Sequence, residues 1–360
     1  MTEMEGTATN LIPTASVQGP ITCRVELPES WQVAQAAGRI ELADTQRLNP
    51  FAVAADGSRV FGALYSGAWS GVVSVELQGE INQIRAFDNP AVDQANGNAS
   101  FDGRWFVWEE SHSLSNWSAW DIRAWDSETG EVFDIGTAAR VDGEPVSGPF
   151  VIPVASEGKA AWVQANEQGM GEVHLYDLAG REDRVLPSGS AAPPVLFWDS
   201  KLLWVDRSRG LAMADAKTGE PVTVPEPLAQ IHSFATLAAA GEVVAWSEDF
   251  RNVKIWRVGD PRAAVLFEAA ERERVDWLAV VGDLVTWSGN KRQMAADLRS
   301  GSIAPLTQRP GFKSVNRNWL LTVDPIDTTK GVAGDRMSVP PPEIDLVDVT
   351  ELPPLPGCPS

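Results

Sequence analysis

The feature that most constrains the fold is a short apolar run ending in tryptophan, which recurs five times along the chain. The runs GRWFVW, EGKAAW, DSKLLW, GEVVAW and GDLVTW end at Trp108, Trp162, Trp204, Trp246 and Trp287. Successive tryptophans are 54, 42, 42 and 41 residues apart. Each run is typical of a buried strand entered from a tight turn. A period of this size indicates a repeat architecture such as a propeller.

A second strand signature follows the tryptophan in four of the repeats and ends in aspartate. The segments DIRAWD, VHLYD, LAMAD and QMAAD end at Asp126, Asp177, Asp215 and Asp297. A turn containing glycine and another short strand come next. Aspartate at the first position of a turn accepts a hydrogen bond from the backbone two residues on. We therefore predict a structural role for these aspartates.

One more apolar strand precedes each tryptophan run from the second repeat on, at 149–155, 193–198, 233–240 and 275–281. Four strands per repeat in meander order make a propeller blade. Two degenerate copies stand at 51–87 and 311–353, and an insert at 324–342 interrupts the second of them. The sequence predicts an all-β, seven-bladed β-propeller of four-stranded antiparallel blades, or a six-bladed one if the terminal copies merge.

The two ends of the chain are expected to meet. We divide the chain into an N-terminal leader, residues 1–46, and a single propeller domain, residues 47–358. The last copy lacks a convincing fourth strand because ELPPLPG is rich in proline, which removes ladder donors. The strand ITCRVEL at 21–27 is predicted to supply that strand and close the ring.

The only two cysteines, Cys23 and Cys358, lie in the segments that this closure brings together. A disulfide between them would contribute about 4–5 kcal/mol in the chain-entropy model and would indicate an oxidising compartment. Two unrelated free thiols are the alternative.

Charge and hydropathy exclude some classes of partner. The net charge of −20 argues against nucleic acid, whose phosphates require lysine and arginine. No apolar run is long enough for a transmembrane helix, so no membrane insertion is expected. The N-terminal residues show no signal-peptide pattern.

The segments VVAWSEDFRNVKIWRV and WFVWEES, the latter with WDIRAWDSETGEVFDIG after it, resemble TolB-like and WD-repeat-like bacterial propellers. The resemblance covers about residues 47–353. It implies a propeller fold and an extracytoplasmic setting, either periplasmic, cell-surface or secreted. It implies little about activity, because such propellers include scaffolds, binding modules and enzymes.

Tryptophan is unusually frequent, with 15 residues against two tyrosines. The five that end the strand runs are predicted to pack between blades, where each buries a large area. Trp69 and Trp117 lie in the polar loops GAWSG and SLSNWSAW instead. They are candidate recognition residues, and local loop packing is the alternative.

A candidate binding rim follows from the repeat. Loops between second and third strands share one face of a propeller with the links between blades. Two residues past the five tryptophans stand Glu110, Gln164, Asp206, Glu248 and Gly289. An acidic rim of this kind would attract a cation or a basic segment of a partner. Solvated loop acids in an acidic protein are the alternative interpretation.

Catalytic and cofactor motifs are missing from the sequence: it contains no HExxH, GxSxG or P-loop pattern. The three histidines are dispersed, so neither a metal site nor a cofactor is predicted. We favour a non-catalytic binding or scaffold propeller that holds a protein partner on its loop-rich face. A glycan-binding or polysaccharide-acting propeller, hydrolase or lyase, using Trp69 and Trp117 is one alternative. A structural subunit of a surface or secreted assembly is another.

Overall fold

Seven small antiparallel sheets stand around a ring in the computed structural model, which describes residues 23–66, 69–89, 93–113, 118–148, 150–231, 235–290, 292–307, 313–324 and 342–358. The strands of each blade pair in the order of the sequence. The first strands of the sheets contact one another in chain order, and that of the last sheet contacts that of the first. The fold is therefore a seven-bladed β-propeller, as the repeat predicts, and the six-bladed alternative is wrong.

The N-terminal segment contains β1 (Cys23–Arg24) and α1 (Glu29–Ala37). Blade 1 consists of β2 (Gln46–Val53), β3 (Arg59–Ser66), β4 (Ser70–Glu76) and β5 (Ile81–Ala86). Blade 2 consists of β6 (Gln94–Phe101), β7 (Trp105–Ser111), β8 (Trp120–Asp126) and β9 (Val132–Thr137). A hairpin of β10 (Arg140–Val141) and β11 (Glu144–Pro145) leads to blade 3, which consists of β12 (Val154–Ser156), β13 (Lys159–Ala165), β14 (Gly171–Asp177) and β15 (Glu182–Leu186).

Blade 4 has three strands, β16 (Ala191–Trp198), β17 (Lys201–Asp206) and β18 (Gly210–Asp215). Its fourth strand is reduced to a bridge between Ala214 and Pro221, because proline has no N–H to donate. After α2 (Glu226–Ala229), blade 5 consists of β19 (Thr236–Ala240), β20 (Val243–Ser247), β21 (Asn252–Arg257) and β22 (Ala264–Glu268). Blade 6 consists of β23 (Asp276–Val281), β24 (Leu284–Ser288), β25 (Gln293–Asp297) and β26 (Ser302–Pro305). Blade 7 consists of β27 (Lys313–Asn316), β28 (Trp319–Asp324) and β29 (Glu343–Asp348), before a short 3-10 helix, Val349–Glu351.

The five repeated tryptophans form the core between blades, as predicted. Each lies on the second strand of its blade and is at most 4% exposed. Each belongs to a buried cluster with the preceding blade: Trp162 packs with Trp105 and Ile122 of blade 2, for example. A large, flat ring on every second strand therefore fills the wedge that opens between neighbouring blades.

The repeated aspartates have the predicted structural role in turns. Asp126, Asp177, Asp215 and Asp297 each accept a backbone N–H from two or three residues further on, at 2.7–3.0 Å. Asp126 also pairs with Arg104, and this ion pair lowers the pKa of its carboxyl. The same hydrogen bond from backbone N–H to aspartate thus stabilises the turn between the third and fourth strands in four blades.

The ring closes differently from the prediction that residues 21–27 supply the missing strand of blade 7. Cys23 and Arg24 pair in parallel with β26 of blade 6 instead. The outer position of blade 7 is taken by residues 38–40, where Ile40 N–H donates to the Ile344 carbonyl oxygen (2.9 Å). These residues stand just before β2 and reach the blade that adjoins blade 1. The unpredicted α1 separates them from β1, which therefore reaches one blade further back.

A covalent bond joins the N-terminal segment that contains β1 to the C-terminal segment. Cys23 and Cys358 form a disulfide with a Cα–Cα distance of 5.6 Å, which confirms the predicted pairing. On α1, the Trp31 indole N–H donates to the Pro353 carbonyl oxygen (2.9 Å) and ties the C-terminal segment down as well. The division into residues 1–46 and 47–358 stays a prediction, since residues 1–22 lie outside the described part. Among the described residues, no helix is both long and apolar enough to cross a membrane.

Candidate functional site

One face of the ring carries the second-to-third-strand turns and the links between blades, and we call it the loop face. All the rim residues predicted from the sequence lie at this face. The four side chains Glu110, Gln164, Asp206 and Glu248 occupy equivalent positions but different environments, and these environments decide which of them is available to a partner.

Gln164 and Glu248 each accept a hydrogen bond from the tryptophan two residues earlier. The Trp162 indole N–H donates to Gln164 Oε1 (2.8 Å), and that of Trp246 to Glu248 Oε1 (3.2 Å). Glu248 also pairs with Lys254 (2.9 Å), and its side chain is 38% exposed. Both residues therefore fix a core tryptophan, and Glu248 still reaches solvent.

Asp206 is buried, and its carboxylate stabilises the turn that follows β17. Its carboxylate accepts the backbone N–H groups of Gly189 and Ser208, both at 2.8 Å, and the Ser208 hydroxyl. Burial alone raises the pKa of Asp206, but the hydrogen bonds from Ser208 and Gly189 outweigh it and the pKa is lowered. The buried indole N–H of Trp204 has no acceptor among the described residues.

Glu110 is completely buried between two arginines. Arg85 Nε of blade 1 and Arg123 Nε of blade 2 lie 3.2 and 3.1 Å from Glu110 Oε2. Arg85 also pairs with Asp88, and Arg123 with Asp134. The side chain is 0% exposed, so Glu110 joins two blades and adds no exposed charge to the rim.

His112 extends this ion-pair network. Its Nδ1 lies 3.0 Å from Asp93 Oδ1 and its Nε2 lies 2.9 Å from Asp121 Oδ2. Atoms of Asp93, Glu110 and His112 that are able to ligate a metal lie within 4.8 Å of one another. Because Glu110 is already neutralised by two guanidinium groups, we describe the cluster as an ion-pair network. Burial lowers the pKa of His112, but the hydrogen bonds to Asp93 and Asp121 outweigh it and raise the pKa.

This network predicts a pH-dependent contribution of His112 to stability. A pKa raised on folding stabilises the protein below the unfolded value, about 6.5, and the contribution is lost as pH rises through the folded value. His112→Gln should therefore lower the free energy of unfolding more at pH 5.5 than at pH 9, as measured by urea unfolding of variant and wild type. In an Asp121→Asn background the difference between the two pH values should shrink. An equal loss at both pH values would contradict the assignment.

Of the two candidate recognition tryptophans, the structure describes only Trp69. Trp69 is half-buried against the core of blades 1 and 7, and its indole N–H is buried without a partner among the described residues. A side chain packed in this way offers little surface for stacking. Trp117 lies outside the described residues. Recognition by Trp69, Trp117 and the rim residues stays a prediction.

The loop face carries exposed apolar side chains that the sequence did not single out. Of the seven large apolar residues that are exposed among those described, four lie on it: Val141, Phe150, Met170 and Trp277. The first two belong to the long link between blades 2 and 3, and Met170 lies in the adjacent turn of blade 3. Trp277 stands apart, at the loop-face end of the inner strand of blade 6.

Trp277 combines exposure with backbone strain. Its side chain is 56% exposed and its φ is 50°, a left-handed conformation that costs a bulky residue about 1–2 kcal/mol. A bulge between Asp276 and Ala279 interrupts the strand at this point. Residues held in such a conformation concentrate at functional sites, where the surrounding structure maintains the strain.

Two β-propeller domains are among the solved structures of similar fold. The β-propeller domain of the Trilobed protease from Pyrococcus furiosus is 12% identical, with a TM-score of 0.53 over 79% of this chain and 90% of that one. The β-propeller domain of Cps50 (Swd1) from Myceliophteria thermophila is 14% identical, with a TM-score of 0.54 over 86% of this chain and 99% of that one. The likeness is one of fold.

TolB from Acinetobacter baumannii is also similar, at 15% identity and a TM-score of 0.38 over 61% of this chain and 56% of that one, and it adds no argument. No family model and no curated protein matches the sequence. The predicted resemblance to bacterial and WD-repeat-like propellers is therefore confirmed at the level of fold, and the fold alone does not assign an activity.

Proposed function

We propose that the protein is a binding or scaffold propeller that holds a protein partner on its loop face. The observation that carries this proposal is the group of exposed apolar residues there, above all the strained Trp277. Exposed aromatic side chains of this kind are the usual anchors of protein interfaces. The acidic rim predicted from the sequence contributes less, since Glu110 and Asp206 are buried and Glu248 alone of the three acids is exposed.

The setting we propose is extracytoplasmic, because a disulfide persists in oxidising compartments and is rare in a reducing cytosol. The glycan-binding alternative is less favoured. In the form predicted from the sequence it relies on Trp69 and Trp117, and Trp69 is packed against the core. A rigid, covalently closed disc suits a scaffold, because little conformational freedom is lost when a preorganised surface binds.

Trp277 gives a direct test, because stability and binding are expected to respond differently. Trp277→Asn should leave the free energy of unfolding within about 1 kcal/mol of wild type, since asparagine tolerates the left-handed conformation. The same variant should lose partner capture. The matched control is Val258→Asn, a 51% exposed apolar position in a turn on the opposite face. Capture that survives Trp277→Asn, or fails equally in both variants, would contradict the proposed face.

A further inference from the structure

Two exposed apolar side chains stand together on the loop face at the end of blade 3. Phe150, at the end of the link from blade 2, is 58% exposed, and Met170, in the following turn of blade 3, is 49% exposed. A Cβ atom on Gly148 of the link would lie 2.7 Å from the Cβ of Ala165, and Ala165 pairs with Gly171, the neighbour of Met170. The link therefore crosses the end of blade 3 beside this turn, and we call Phe150 and Met170 the apolar patch.

The backbone that carries the apolar patch is fixed by hydrogen bonds of its own. Asn166 N–H donates to the Met170 carbonyl oxygen (2.8 Å), and Met170 N–H donates to Asn166 Oδ1 (3.0 Å). In the link, Val146 N–H donates to the Ala139 carbonyl oxygen (2.8 Å) at the base of the hairpin of β10 and β11, which displays Val141 at 44% exposure. A partner therefore meets apolar groups on a preorganised backbone, which lowers the entropy lost on binding.

Uncompensated acidic charge surrounds the apolar patch. Asp142 and Glu144 of the hairpin and Glu167 of the turn are exposed, and none of them forms an ion pair within the described part of the chain. Arg140 is the one cation of the hairpin, and its Nη1 donates to a carbonyl oxygen of the hairpin's own turn (2.8 Å). Three carboxylates are therefore left for a partner to neutralise.

This charge pattern decides between the possible occupants. A second copy of the chain would bring the same acids against one another, and the net charge of −20 repels nucleic acid and anionic lipid. The acidic charge ends at the turn of blade 4, which carries the exposed Arg207 and Arg209. A peptide segment with apolar side chains between lysines or arginines matches both the apolar patch and the carboxylates around it.

We propose that the apolar patch binds a basic, apolar segment of the partner protein. Its apolar side chains pack on Phe150 and Met170, and its flanking cations lie against Asp142, Glu144 and Glu167. This inference rests on the proposed function and deepens it by naming the chemistry of the partner. Partner capture that depends on Trp277, without any binding of basic, apolar peptides, would overturn this inference alone and leave the proposed function standing.

Fluorescence anisotropy of labelled peptides, titrated with the full-length protein, tests the proposal. The probes have a central run of leucine, phenylalanine or methionine between flanking lysines. One control series has the same apolar runs between glutamates, and another has serine between the lysines. At least one probe should bind saturably, and its two controls should bind about tenfold more weakly or less, because apolar contact and charge are both required.

The apolar contribution is tested by Phe150→Ser combined with Met170→Ser. The double variant should weaken binding of the best probe by about tenfold, since apolar anchors contribute most of the binding energy of an interface. Val258→Ser, at an exposed apolar position in a turn on the opposite face, is the control and should bind like wild type. Urea unfolding verifies that both proteins are folded.

The charge contribution is tested by the triple variant Asp142→Asn, Glu144→Gln and Glu167→Gln. It should weaken binding by about fivefold at low ionic strength, and by less in added salt, which screens exposed charges. The matched control makes the same change of net charge at exposed acids in first-to-second-strand turns of the opposite face, by Glu157→Gln, Glu242→Gln and Asp283→Asn. It should bind the probe like wild type.

Four results would overturn the proposal: no probe binds saturably, the serine control binds as tightly as the probe, the folded patch variant binds like wild type, or both neutralised variants lose binding equally. Sedimentation of the protein alone covers the remaining occupant. A dimer that disappears in the Phe150→Ser, Met170→Ser variant would identify a second copy of the chain as the occupant and would also overturn the proposal.

Discussion

Replacement of both cysteines by serine, Cys23→Ser with Cys358→Ser, is expected to lower the free energy of unfolding by about 4–5 kcal/mol. The disulfide joins residues 335 positions apart, so its loss frees almost the whole chain in the unfolded state. It also unties β1 from the C-terminal segment, leaving that segment held by hydrogen bonds such as Ser302 Oγ–H to the Pro356 carbonyl oxygen (2.7 Å).

Urea unfolding of wild type and variant measures this effect. Wild type with a reductant is the matched control and should unfold at the same urea concentration as the double variant. If the oxidised wild type and the double variant unfold together, the disulfide does not stabilise the ring, and hydrogen bonding alone closes it.

The second large effect is expected at Glu110. Glu110→Gln should lower the free energy of unfolding by about 3 kcal/mol, because it leaves two poorly solvated guanidinium groups, Arg85 and Arg123, without their shared buried carboxylate. The remaining ion pairs of these arginines, with Asp88 and Asp134, limit the loss.

Glu248→Gln is the matched control for this prediction. Glu248 occupies the equivalent position in blade 5, also pairs with one cation, Lys254, and is 38% exposed. A solvent-exposed pair contributes little, so the expected loss is below about 1 kcal/mol. Equal losses in the two variants, measured by the same urea unfolding, would contradict the assignment of Glu110 as the ionic link between blades 1 and 2.

The repeat predicts the fold well because the interactions that it encodes lie within one blade or between adjacent blades and recur along the chain. In every described blade where they occur, the tryptophan of the second strand is buried against the preceding blade, and the aspartate of the following turn accepts a backbone N–H. Trp162 and Asp177 therefore behave like Trp246 and Asp215, and comparison of the repeats identifies their roles without a structure.

The candidate site is less predictable because its partners come from outside the repeat. Glu110 and Gln164 occupy equivalent positions, yet Glu110 turns to Arg85 of the preceding blade, which has no counterpart for Gln164. The positive φ of Trp277 coincides with the bulge between Asp276 and Ala279, and no sequence pattern predicts either of them. The acidic rim predicted from equivalent positions therefore overestimates the exposed charge, because Glu110 is buried against an arginine of the preceding blade.

The sequence also predicts the wrong partner strand for ring closure, because that pairing depends on contacts outside the repeat. The cysteine pair correctly located one junction of the termini, but two N-terminal segments take part and α1 separates them. Residues 38–40 show no alternation long enough to predict a strand. Their role depends on the unpaired edge of β29, to which Leu346 contributes an N–H that donates to the Gly38 carbonyl oxygen (2.9 Å).

The central claim, a protein partner on the loop face, is tested most directly by site-specific photo-crosslinking in the cells that produce the protein. A photoreactive amino acid is placed at Phe150 on the loop face or at Val258 on the opposite face, both of which are exposed. The proposal predicts a discrete cross-linked protein from position 150 that is missing from position 258 and is lost when Trp277→Asn is added. Cross-links from position 258 alone, or from neither position, would contradict it.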